Sequence, residues 1–115
     1  MQTTTSLEIL GIFIDNAIEA QIRTEGEKRI IFKFFEYTNM YLFTIMNPYE
    51  HVSYAEIESW FRQNKSTKGK ERGLGLFYVK KICEEYNACV LCRNTEYLQE
   101  NWIEITLEIK KADKL

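Results

Sequence analysis

Leu10 to Ala20 reads LGIFIDNAIEA, and this stretch decides how the rest of the chain is arranged. At about 100° per residue it is a helix with two apolar sides. Leu7, Leu10, Gly11, Ile14 and Ile18 make one stripe, and Ile9, Ile12, Phe13 and Ala20 lie on the far side. Glu8, Asp15 and Glu19 form a narrow acidic strip between them. A helix covered on two sides packs on a sheet with one and meets something else with the other. Asn16 falls inside the second apolar side, between Ile12 and Ala20. A buried amide needs a partner, because leaving it unpaired costs about 1–3 kcal/mol. Two readings of Asn16 stay open on the helix alone. It is either a core amide bonded to a loop or a neutral oxygen ligand for a hydrated magnesium ion carrying phosphates.

A second element, STKGKERGLGL from Ser66 to Leu76, bears on that choice. It is a basic loop closed by two glycines and leading into an amphipathic helix. Glycines allow close backbone approach to a ligand, and a helix start offers unpaired N–H groups and the positive end of the dipole. Arg62 to Arg72 carries a net charge of +4 in a chain of net charge −2, so the remainder stands at −6. A basic loop on an acidic body suits a compact anion better than a polyanion and argues against a nucleic-acid binder. A lone Gly-x-Gly is weak evidence, since turns and helix starts also use it.

The two motifs, in this order and spacing, resemble the Bergerat (GHKL) ATP-binding fold of DNA gyrase, heat-shock chaperones, histidine kinases and MutL. Within that superfamily the likeness is strongest to the ATP-binding domain of Gram-positive sensor histidine kinases that detect peptide pheromones in quorum sensing. It covers about Leu7 to Ile109. The resemblance implies ATP and Mg2+ as ligands, with Asn16 as the magnesium ligand and Lys68 and Arg72 on the β- and γ-phosphates. It implies backbone N–H groups from Gly73 and Gly75, with Leu74 and Leu76 opening the helix behind them. Ser66, Thr67 and Gly69 complete the loop around the phosphates, the two hydroxyls serving as phosphate or ribose contacts or simply facing solvent.

Two departures from the pattern stand out. Position 12, one turn before Asn16, is isoleucine, where gyrase-type ATPases place a glutamate that activates water and many histidine kinases an asparagine. A hydrocarbon cannot take a proton. Glu8 and Glu19 lie too far along the helix to replace it, so efficient ATP hydrolysis is not expected. A polar base there is also what an anti-sigma-type serine kinase would want. The second departure follows the second strand. MNPYE, Met46 to Glu50, stands where the family has D-x-G-x-G. Asn47 is the expected substitute for the adenine-binding aspartate, since its carbonyl oxygen can accept the same bond. The missing glycines motivate a rival reading, a degenerate module kept for protein–protein contact with weak nucleotide binding or none.

The resemblance also implies what must come from elsewhere. A histidine kinase phosphorylates a histidine on a dimerising helical hairpin, and the only histidine here is His51, between Pro48 and a helix cap. The expected partners are therefore the dimerisation and phosphoacceptor domain of a parent kinase and a response regulator. No nucleic acid and no direct membrane contact are expected. The chain contains no signal peptide and no apolar run long enough to span a bilayer, and reads as a cytoplasmic domain of a membrane-anchored parent.

The 115 residues, 45% of them apolar, suffice for one domain with a two-layer core. Residues 1–4 read as an artificial start or frayed end. Thr5 with Glu8 matches a capping box, so the first helix is expected from Ser6 to about Arg23, with a break at Gly26. Arg29–Glu36 and Tyr41–Met46 read as a hairpin around Thr38-Asn39, and Pro48 ends the second strand. Ser53 and Glu56 make another capping box, opening a short helix through Phe61 whose buried side is Ile57, Trp60 and Phe61. A helix over about Leu74–Tyr86 follows, facing a sheet with Leu76, Val79, Ile82, Cys83 and Tyr86. Strands over about Ala88–Thr95 and Trp102–Lys110 complete the chain. In the last, Ile103, Ile105, Leu107 and Ile109 alternate with polar residues, indicating one buried face. Cys89 and Cys92, three apart on a strand, face opposite sides and are unsuited to joint metal ligation. The expected architecture is an α+β two-layer sandwich, one mixed and mostly antiparallel sheet with helices on one face.

Overall fold

The computed structural model of the protein describes residues 3–21, 28–62 and 71–111. Helix α1 (Thr3–Glu19) is followed by strands β1 (Ile31–Glu36) and β2 (Met40–Pro48). Helices α2 (Tyr54–Trp60) and α3 (Glu71–Glu85) come next, and β3 (Ala88–Tyr97) and β4 (Glu100–Lys110) end the chain. The strands form one sheet in the order β1-β2-β4-β3, and all three pairings are antiparallel, where a mixed sheet was expected. Each outer strand joins its inner neighbour through a tight hairpin. The long connection from β2 to β3 carries α2 and α3 across one face, which gives the expected α+β sandwich.

Register fixes which side chains meet the helices. Ile45 lies opposite Ile105 and Phe43 opposite Leu107 on β2 and β4, while Val90 and Cys92 of β3 face Leu107 and Ile105. Directly opposed residues share a face, so Ile103, Ile105, Leu107 and Ile109 all point into the helix layer, as their alternation requires. Against them pack Ile9, Phe13 and Ala17 of α1, Leu76, Val79 and Cys83 of α3, and Ile57 and Trp60 of α2. α1 lies over β2 and α3 over β3. Burial pushes the Cys83 thiol up to about 11, so it serves as a small packing group. Cys89 is exposed while Cys92 packs against the core, on opposite faces of β3.

The other face of the sheet is partly covered too. Trp102, 1% exposed, has the opposite parity to the core isoleucines. The Arg29 guanidinium lies 5.3 Å from its ring centroid, Tyr97 meets it edge-on at 5.4 Å, and its Nε1 donates to Tyr97 O at 3.0 Å. Arg29 is itself held by Gln21, whose Nε2 donates to Ala17 O and Arg29 O while its Oε1 accepts from Arg29 N. This fully buried amide closes the end of α1 onto the entry to β1.

Several boundaries differ from expectation. α1 begins at Thr3, so Thr5 is helical and caps nothing; the Glu8 carboxylate accepts from Tyr78 Oη at 3.0 Å instead of turning back on Thr5. α1 ends at Glu19, where the Gln21 clasp takes over; the expected limits near Arg23 and Gly26 lie outside the described residues. α3 starts at Glu71, three residues before Leu74. By contrast Ser53 caps α2 as read, its Oγ accepting from Glu56 N at 3.1 Å. The Glu56 carboxylate does not complete the box but accepts from Trp60 Nε1.

The β3–β4 turn shows no sequence signal. Leu98 and Gln99 have φ of 55° and 64°, a left-handed pair in a two-residue hairpin that Asn-Gly would favour. Side chains there cost on the order of 1–2 kcal/mol per residue. Replacing Leu98-Gln99 by Asn-Gly is therefore expected to stabilise the domain by about 1 kcal/mol, raising Tm by roughly 4–8 °C in a domain of this size class, read by thermal unfolding.

Candidate functional site

α1 and α3 lie side by side on the sheet, and their closest approach joins the two sequence motifs. A β-carbon on Gly75 would sit 3.0 Å from Ile12 Cγ2 and 3.9 and 4.0 Å from Oδ1 and Nδ2 of Asn16. No larger residue fits at 75 without moving a β-branched side chain. Ile12 is thus a packing residue that receives the backbone of α3. Asn16 is 4% exposed, flanked on its own helix by Ile9, Phe13 and Ala17, so the amide lies within the apolar side as its position requires. One turn back, the Tyr78–Glu8 bond ties the outer edges of the same two helices.

The remaining site residues divide by place. Leu76 is fully buried in the core beneath this contact. Arg72, Gly73 and Leu74 form the first turn of α3, and Gly75 lies beyond it, inside the helix rather than ahead of it. Two glycines so near a helix start weaken it by about 1 kcal/mol each relative to alanine. Burial of Leu76 and Val79 and the fit at Ile12 outweigh that cost. Ser66, Thr67, Lys68 and Gly69 lie outside the described residues.

Asn47 closes the other wall. It stands opposite Ile103 on the helix side of the sheet, 3% exposed, and its Nδ2 donates to Pro48 O at 2.9 Å. That bond fixes the amide's orientation and turns Oδ1, the acceptor, away from Pro48. The chain after Asn47 is held by residues that sequence reading missed. Asn94 of β3 accepts from Val52 N at 3.0 Å and donates to Val52 O at 2.8 Å, matching both backbone polar groups of one residue. Asn101 Nδ2 donates to Asn94 Oδ1 and to Tyr49 O, each at 3.0 Å. Tyr49 N donates to Asn101 O, and the Tyr49 ring meets Trp60 edge-on at 6.2 Å. Where glycines would let a loop curve freely, three asparagines hold this one in place. Nothing local marks Asn94 or Asn101, since each partner is at least forty residues distant except where they meet each other.

A two-layer α+β sandwich whose helix layer brings an asparagine of the first helix against the glycine-bearing start of a later one has the architecture of histidine kinase catalytic domains. The family model of the GHKL domain matches residues 1–110, and the chain belongs to that family. The catalytic domain of histidine kinase ThkA, in a nucleotide-free form, superposes with a TM-score of 0.78 at 25% identity, covering 97% of this chain and 71% of that one. A second nucleotide-free form gives 0.78 at 24% identity, over 94% and 67%. The mycobacterial sensor histidine kinase MprB gives 0.76 at 15% identity, over 96% of this chain and 72% of that one, a likeness of fold. No curated protein matches significantly. No described helix is long and apolar enough to cross a membrane.

Two outcomes follow from this geometry. Gly75→Ala sets a gain in helix propensity of about 1 kcal/mol against overpacking on Ile12 of about 1–3 kcal/mol. The expected result is neutral to destabilising in the native background and stabilising in an Ile12→Ala background, a change of sign read by a denaturation double-mutant cycle. Asn94→Ala leaves both polar groups of Val52 without their partner and is expected to cost about 1–3 kcal/mol, with faster amide exchange at Val52 than at Ile105.

Proposed function

We propose that this domain holds Mg-ATP between α1, the start of α3 and the end of β2, and presents the γ-phosphoryl to a histidine carried by a dimerising helical domain. The observation that carries this reading is the seating of Gly75 on Ile12 and Asn16, which brings a buried neutral oxygen donor of α1 against the glycine-bearing part of α3. That donor set fits a magnesium–phosphate group: an amide oxygen for the hard cation, backbone N–H groups for phosphate oxygens. Asn16 would hold the cation, Gly73 and Arg72 would meet phosphate through backbone and side chain, and Lys68, Gly69, Ser66 and Thr67 would complete the enclosure. Asn47 Oδ1 would accept from the adenine amino group. Bound magnesium neutralises charge on the phosphates and orients them; the protein's own contribution is positioning and exclusion of water.

Because Asn16 is buried and α3 approaches it at Gly75, a shift of this part of α3 would open the way for the nucleotide. Gly73 and Gly75 make that change inexpensive. Position 12 offers hydrocarbon to the site and Glu8 is engaged by Tyr78, so α1 presents no base to activate water beside Asn16. The reading is accordingly a kinase rather than a hydrolase, acting on a histidine in trans, with a response regulator downstream. A parent sensor anchored in the membrane and tuned to peptide pheromones is the source that the sequence resemblance favours. One observation favours a second reading, a module that has kept the fold for protein contact. The loop after Asn47 is pinned by Asn94 and Asn101 and lacks the freedom that glycines would supply.

A thermal-shift titration separates the two. Mg-ATP is expected to bind with Kd between roughly 10 μM and 1 mM, about −7 to −4 kcal/mol, and Asn16→Ala to abolish the magnesium-dependent shift while the variant still melts cooperatively. No shift for the wild type at millimolar nucleotide establishes the contact-module reading. With radiolabelled ATP the isolated chain is expected to acquire no acid-labile, base-stable phosphate on His51 and to turn over ATP only at a trace rate. Joining a helical hairpin with its own histidine ahead of Thr3 is expected to restore labelling.

A further inference from the structure

Strand β1 is a sheet edge of unusual composition. Among the described strands, β1 alone exposes five residues in succession, Phe32 to Glu36, three of them phenylalanines. The Tyr37–Met40 bond closes the hairpin, so by the alternation of an antiparallel ladder Phe35, Lys33 and Ile31 bond to β2. Phe32, Phe34 and Glu36 therefore turn their N–H and C=O groups outward. Natural edges are blunted by prolines, bulges or charge; here Lys33 points to the face away from the helices and Glu36, at the end of the strand, is paired with Lys111, so no charge separates Phe32 from Phe34 on the helix side.

On the helix side this edge continues into a wider apolar surface. Phe34 packs on Phe43 with the rings tilted and 4.7 Å apart, and Phe32 lies 6.3 Å from the same ring, yet both are about half exposed. α1 walls this floor. Its Glu8 and Ile12 side meets α3, so its opposite flank, with Leu7, Ile14 and Ile18 all exposed, overhangs β1. This is the first apolar stripe read in the sequence, and among the described residues no element covers it.

We infer that β1 is a self-association edge, and that its occupant is β1 of a second copy of this chain, paired antiparallel about a two-fold axis through Phe34. A two-fold axis normal to the sheet keeps the helices of both copies on one face and extends the four strands into one continuous sheet. Same-face pairing then requires the axis to pass through a residue. Centred on Lys33, the pairing sets two ammonium groups opposite each other, a destabilising contact. Centred on Phe34, it opposes Phe34 to its own copy, Lys33 to Phe35 and Phe32 to Glu36, and it uses the outward groups of Phe32, Phe34 and Glu36 in both strands. Three strand intervals of about 4.8 Å place the two α1 helices about 14 Å apart across a floor of four phenylalanines. Leu7, Ile14 and Ile18 of each copy close that trench from above.

The test is the mass of the 115-residue chain in solution. Sedimentation equilibrium at about 100 μM is expected to give twice 13.7 kDa, and Phe34→Lys, which opposes two ammonium groups at the axis, is expected to weaken association at least tenfold with the circular dichroism spectrum unchanged. As a check independent of that variant's folding, Phe34→Cys in a Cys89→Ser, Cys92→Ser background is expected to form a disulfide-linked dimer on mild oxidation, and Phe35→Cys is not. A wild-type monomer at that concentration overturns the inference. So does a dimer that survives Phe34→Lys, or one that cross-links at position 35 and not at position 34.

Discussion

The contact between Gly75 and the Ile12–Asn16 ridge of α1 is the constraint on which the rest of this domain depends. It sets how near α3 comes to α1, and therefore how the two helices share the sheet. With the helices this close, Ile9, Phe13 and Ala17 of α1 and Leu76, Val79 and Cys83 of α3 join the sheet's inward side chains in one core. A larger residue at 75 would separate the helices, and the loss would extend through every layer below, since close-packed interiors accommodate even a methyl group poorly. The glycine lowers the helix propensity of α3 and in return allows the packing that stabilises it.

The same contact joins architecture to chemistry. Asn16 must lie on the buried side of α1 to meet α3, and that position also gives it a neutral oxygen in a sheltered place. Membership of the GHKL family accounts for an asparagine there, and the isoleucine one turn earlier gives this domain its particular character. Ile12 removes a polar neighbour from Asn16 and supplies the surface that Gly75 rests on, so the absence of a base at this position is also a packing feature. At the opposite wall, Asn94 and Asn101 do by hydrogen bonding what backbone flexibility would do elsewhere: they set the path of the chain after Asn47. Rigidity there favours one ligand geometry and penalises others.

The sheet is asymmetric in its protection. β4 is central and its odd-numbered side chains are almost fully buried; β3 is an edge with charged and polar residues on its open face, an arrangement that discourages pairing. β1 carries Lys33 on the face away from the helices and Glu36, paired with Lys111, at its end, which leaves its helix side apolar between them. Its phenylalanines and the bare flank of α1 form one surface, and an apolar edge of this kind marks a place where another chain adds. The α3 contact and the exposed apolar flank lie on opposite sides of α1, so one helix borders both.

Periodicity alone was enough to reveal most of the fold. The alternation in Ile103–Ile109, the Ser53 cap, Pro48 as a strand end and the two apolar sides of α1 are local signals, carried by residues two to four apart, and each appears in the structure as read. The motif pair was legible for the same reason, and Asn16 is buried in the side where its position puts it. Tertiary structure decided what depends on distant partners. Glu8 turned to Tyr78 rather than to Thr5, so α1 began earlier than its apparent cap. α3 included Gly73 and Gly75, the second of them packed on Ile12. The pairing of β2 with β4 made the sheet wholly antiparallel, and Leu98-Gln99 was held in a left-handed turn that its side chains oppose. Asn94, Asn101 and Gln21 acquired their roles only when chain segments far apart in sequence were brought within 3 Å, because a side chain that satisfies a remote backbone group leaves no periodic trace in the sequence around it.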